Sequence, residues 1–160
     1  MAVGDHVQVH CGLYWHHGID VGNDRVVSIS PEGVLVQSLA EFSGGRLVVK
    51  VVYKPGKVRF MPSRIAERAW LSVNGLGPVP RQPYNLLSWN CEHFCIFCCT
   101  GIRLSQQVAG AGRTALRLGL LATIFPPATV AGLVVAGTGG LMLGVARTRE
   151  LIVGTTVYNP

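Results

Sequence analysis

Charge is scarce in this chain: only 14% of its 160 residues are Asp, Glu, Lys or Arg, against about a quarter in an ordinary soluble domain. Acidic residues are the scarcest, eight in all against fourteen Lys and Arg. With 49% hydrophobic residues, the chain can bury a core, and extended disorder is excluded over most of its length. It has no stripe of Lys and Arg interleaved with aromatics, which argues against nucleic-acid binding. Its start, MAVGDHVQVH, lacks the basic and apolar runs of a secretory signal peptide. The five cysteines are odd in number, and Cys91, Cys95, Cys98 and Cys99 crowd together, a poor disulfide framework. The expectation is an intracellular, reducing compartment. Paired metal knuckles are also missing, since Cys95-x-x-Cys98 has no second CxxC or HxxxH. Neither a metal nor another cofactor is expected.

What is present divides unevenly. Residues 101–160 hold five Arg against one Glu, and residues 118–146 carry no charge. Arg113 and Arg117 precede that run and Arg147 and Arg149 follow it. A basic, apolar segment suits an anionic membrane surface. Pro126-Pro127 divides it, and Gly140-x-x-x-Gly144 permits close helix contact. A spanning helix, a re-entrant hairpin and a buried Gly-rich element all fit. The expected organisation is a domain over 1–105, a partly helical linker over 106–117, an apolar membrane-associating segment over 118–146 and a tail over 147–160.

The first sixty residues read as β structure. Val7, Val9 and Cys11 alternate with polar neighbours, and His16–Val21 and RVVSIS flank a Gly22-Asn23-Asp24 turn. Residues 34–39 and 47–53 give two more strands. Ser63 is placed to cap a helix over 64–70, and NGLGPVPRQP is a loop. Asn90–Thr100 reads as a helix that Gly101 ends.

Two short stretches carry chemistry. In NCEHF, Cys91 opens the predicted helix and Asn90 can cap it; unpaired N–H groups of a first turn favour a thiolate. Glu92 and His93 are read as support for that turn. In YWHHGIDVG, a strand supplies histidines, and a thiol nucleophile needs an imidazole to hold its proton. A buried structural thiol is the plain alternative for Cys91.

HHGIDVGNDRVVSIS followed by YNLLSWNCEHFC resembles the lecithin:retinol acyltransferase (LRAT) family, within the NlpC-type superfamily of circularly permuted papain-like enzymes, over residues 4–105. The resemblance implies an α+β fold, with an antiparallel sheet packed on the nucleophile helix and an apolar C-terminal helical segment. It implies Cys91 as nucleophile and His16 as base. The family's third polar position falls on Ser28, where well-known members carry histidine, and Asp20 on the strand of His16 is a possible orienter. The implied activity is thiol-dependent acyl transfer or phospholipase A-type hydrolysis on lipid esters through an acyl-cysteine thioester, with a phospholipid donor at a membrane surface. A non-catalytic membrane-associated module and a cysteine peptidase or amidase of the same superfamily are the alternatives. Oligomeric state is not legible.

Overall fold

The computed structural model describes residues 2–79, 83–103, 105, 114 and 152–157. The chain forms two compact units, 1–103 with 150–160, and 104–149. The linker over 106–117 lies almost entirely outside the described residues, as does all of the apolar segment over 118–146. Among the described residues, no helix is long and apolar enough to cross a membrane.

The sheet has six strands: β1 (His6–His10), β2 (Trp15–Gly22), β3 (Arg25–Ser30), β4 (Gly33–Ser38), β5 (Val48–Tyr53) and β6 (Ile152–Val157). They lie in the order β4-β3-β2-β1-β5-β6, and each neighbouring pair is antiparallel. Asn23 and Asp24 both take left-handed backbone, φ 52° and 53°. That conformation matches the twist of the flanking strands and closes the β2–β3 hairpin. Part of the stretch read as a tail is β6, on the outer edge of β5. A six-residue strand at the far end of the chain has no hairpin partner nearby in sequence, which is why only long-range pairing reveals it.

Among the described residues, three helices pack on this sheet. A short α1 (Leu39–Ser43) follows β4 directly, started by a reciprocal bond pair between Ser38 and Glu41. The sequence reading missed it, having extended the strand to residue 39; Ser38-x-x-Glu41 is the capping-box signal that ends β4. α2 runs Pro62–Val73, longer than expected, and begins at Pro62 with Met61 as its cap residue. Ser63 is therefore inside the helix and does not cap it; Pro62, with its fixed φ, sets the start instead. α3 runs Cys91–Thr100 and ends at left-handed Gly101, φ 76°. Arg68 of α2 donates to the carbonyls of Phe97 and Cys98 at 3.0 Å each. A guanidinium on carbonyls of the last turn of α3 complements the helix dipole.

The two faces of the sheet have separate cores. Ile19, Val27 and Ile29 pack with Ile65 and Ala69 of α2 and with Cys91, Phe94, Cys95, Cys98 and Cys99 of α3. Val7, Val9, Val26 and Val48 pack with Phe42 of α1. Strand alternation explains the split, since successive side chains point to opposite faces. Phe94 is fully buried and contributes about 2–3 kcal/mol of transfer free energy.

Candidate active site

Cys91 is the first residue of α3, and Asn90 fixes that start. The Asn90 side-chain oxygen accepts from the His93 amide at 3.1 Å, and the Asn90 side-chain amide donates to the Leu86 carbonyl at 2.8 Å. The Asn90 amide in turn donates to His93 Nδ1 at 3.4 Å. Asn90, Glu92 and His93 are all buried.

The thiol docks on the main chain of β2. Its Sγ lies 3.8 Å from the Trp15 carbonyl oxygen and accepts from the His17 amide. Pairing of β2 with β3 begins at Gly18↔Ser28, past the stretch of β2 whose main chain meets the thiol. Cys91 thus sits against β2 on both sides of His16. Burial pushes the thiol up to about 11, opposed by the His17, Glu92 and Cys91 amides. Desolvation outweighs the helix terminus, and the resting group is a neutral thiol. The tyrosines Tyr14 and Tyr84 lie within electrostatic reach of it.

His16 and His17 go to opposite faces. In the β1–β2 register Val9 faces His16 and Gln8 faces His17. The His16 ring stacks on Phe42 with centroids 5.2 Å apart. It is partly buried, and desolvation with the nearby Arg46 charge lowers its pKa. His17 is on the α3 side and fully enclosed. Its Nδ1 meets His6 Nε2 at 2.8 Å, and His6 Nδ1 meets the Tyr53 hydroxyl at 2.7 Å. Tyr53 in turn donates to the Cys99 thiol. In that direction each proton is used once: His6 donates to Tyr53, His17 Nδ1 donates to His6, and His17 Nε2 keeps its lone pair. That Nε2 is buried and has no hydrogen-bond partner, a cost of about 1–3 kcal/mol. Burial pulls His17 down to about 3 and His6 well below its ordinary value.

The other expected members, Ser28 and Asp20, have hydrogen-bond partners of their own. Ser28 Oγ donates to Gln37 Oε1 at 3.2 Å. Asp20 Oδ1 accepts from the Gly22 amide at 2.7 Å and so holds the β2–β3 turn; burial raises its pKa. Gly18 is required by space. A Cβ there would lie 2.3 Å from Val26 Cγ1 and 3.0 Å from the Phe42 ring. The glycine therefore admits α1, through Phe42, against the sheet. Sequence reasoning missed the Cys99–Tyr53–His6–His17 chain. Its one visible signal is the alternation of polar His6 and Gln8 with Val7 and Val9 along β1.

Among the described residues, no group of three or more His, Cys, Asp or Glu is arranged to hold a metal ion. No curated protein matches the chain. The family model for lecithin retinol acyltransferase matches residues 1–104. That span holds both the histidine strand and the cysteine helix, and the chain belongs to the lecithin retinol acyltransferase family.

Proposed function

We propose that this protein is a thiol-dependent acyltransferase or hydrolase acting on lipid esters, with Cys91 as nucleophile and His16 as base. The observation that carries the reading is the thiol at the first turn of α3, held against the main chain on both sides of His16. The order of elements, histidine strand before cysteine helix, fits a permuted papain-like arrangement.

Cys91 gives its proton to His16, and the sulfur attacks the ester carbonyl. Amides of the first turn of α3 stabilise the oxyanion. The proton then passes from His16 to the leaving oxygen, the C–O bond breaks, and an acyl thioester remains on Cys91. Water or an acceptor alcohol or amine attacks that thioester, with His16 taking its proton, and the thiol is restored. The neutral resting thiol makes this proton transfer part of the activation, in contrast to a preformed thiolate–imidazolium pair. A phospholipid donor is supported by the family and by the Arg-flanked uncharged run over 118–146. The same family context makes association with a membrane surface part of this reading.

Intact-mass measurement after incubation with short-chain phosphatidylcholine tests this. Wild type gains one acyl mass, Cys91→Ala gains none, and His16→Ala gains it about 10²-fold more slowly. One observation favours a non-catalytic module of the same fold: burial holds the thiol well above neutrality. Absence of both an adduct and lipid turnover would put that second reading ahead, with a peptide or amide substrate as the remaining enzymatic alternative.

A further inference from the structure

The end of the sheet that carries Cys91 is ringed by unburied apolar side chains. Leu13 is 101% exposed, Tyr14 52%, Leu86 70% and Leu87 56%. Leu13 and Tyr14 form the β1–β2 connection, directly before the Trp15 carbonyl that meets the thiol. Leu86 and Leu87 form the turn closed by the Asn85↔Trp89 bridge, directly before the cap of α3. Tyr84, at the foot of that turn, is within electrostatic reach of both Tyr14 and Cys91, so the two loops flank one thiol. Arg46, exposed just before β5, acts on Tyr14 and on His16 and adds a cation to the same rim. The loop stretches 11–15, 43–47 and 83–90 contain no Asp or Glu.

We propose that this rim, Leu13 and Tyr14 on one side and Leu86 and Leu87 on the other, is a docking face for a lipid surface. It enters the interfacial layer with Arg46 at the headgroups and delivers lipid directly to Cys91. The inference rests on the lipid-ester reading above. Leucines at loop tips cost solubility in water and regain it in the acyl boundary, and an aromatic with a polar tip suits the interface. Absence of carboxylates removes the repulsion that an anionic headgroup layer would otherwise meet. A soluble peptide substrate gives no reason for four exposed apolar side chains on the loops beside Cys91. The rim residues belong to loops that precede the 118–146 run in sequence.

The test uses the full chain and the double variant Leu13→Asp/Leu86→Asp, neither residue belonging to the catalytic machinery. Thioester formation is followed with monomeric short-chain phosphatidylcholine and with phosphatidylcholine vesicles containing a minor share of phosphatidylserine. The double variant loses about tenfold or more of its rate on vesicles and stays within about twofold on the monomeric lipid. Arg46→Gln removes the stimulation by phosphatidylserine. Vesicles of acyl-brominated phosphatidylcholine give a readout that needs no turnover: they quench the fluorescence of Trp15 and Trp89, and the double variant abolishes that quenching. Equal losses on monomer and vesicle, or unchanged quenching, would overturn the proposal. So would a wild-type dimer that Leu13→Asp dissociates, because the rim would then be an interface between copies. If wild type forms no thioester with monomeric lipid, the catalytic reading fails, and the quenching experiment still decides whether the rim meets a bilayer.

Discussion

His16 and His17 are neighbours in sequence and opposites in structure. One ring lies on the α1 side of the sheet against Phe42, partly buried. The other lies on the α3 side, fully buried, tied through His6 to Tyr53. The same thiol touches the main chain beside both. The difference teaches that residue type and spacing choose a strand, while the layer packed on each face chooses the role. On the α3 face a histidine is enclosed and held neutral. On the α1 face it keeps partial access to water and can exchange a proton.

Exchanging each histidine for glutamine separates those roles most sharply. His16→Gln slows acylation of Cys91 by about 10²–10³-fold and leaves the urea midpoint nearly unchanged. His17→Gln does the reverse, costing about 2 kcal/mol in urea unfolding because it breaks a buried hydrogen-bonded chain. Rate loss confined to His17→Gln would reverse the assignment and make His17 Nε2 the base.

Gly18 tests the α1 face next. Gly18→Ala forces a Cβ to within 2.3 Å of Val26 Cγ1, and overpacking of this kind costs about 1–3 kcal/mol. Thermal unfolding reads that loss. Trimming the neighbour in Gly18→Ala/Val26→Ala recovers part of it if the clash is the cause, and recovers nothing if α1 has simply detached.

Much of this was legible beforehand. The Asn23-Asp24 turn, the strands around it, the helix from Cys91 to Gly101 and the family all follow from local signals: left-handed turn residues, a cap, a terminal glycine and the NCEHF run. Three things were not. β6 pairs across about a hundred residues of chain, and no local pattern encodes that. The elevated thiol was hidden because the first turn of a helix argues for a thiolate, while only the packed structure shows how little water reaches Cys91. The His6–His17 contact needs the β1–β2 register, in which His6 stands opposite Ile19 and one diagonal step from His17.

The acid dependence of stability is the effect most specific to the α3 face. His17 has an ordinary value of 6.5 when unfolded and about 3 when folded. The unfolded chain therefore binds a proton that the folded chain refuses between those limits. Stability from this group is complete above pH 6.5 and is lost progressively as pH falls toward 3. His6, lowered by burial and by His17, adds a second loss of the same sign. Urea unfolding of wild type should then weaken steadily on acidification. His17→Gln should be less stable at neutral pH but decline with a slope shallower by up to about one proton, ~1.4 kcal/mol per pH unit. His16→Gln should alter that slope far less, because its ring is only partly withdrawn from water. Parallel acid slopes for wild type and His17→Gln would mean that His17 can be protonated in place. The enclosed face would then be as open to protons as the one that carries Phe42, and the contrast between the two histidines would collapse.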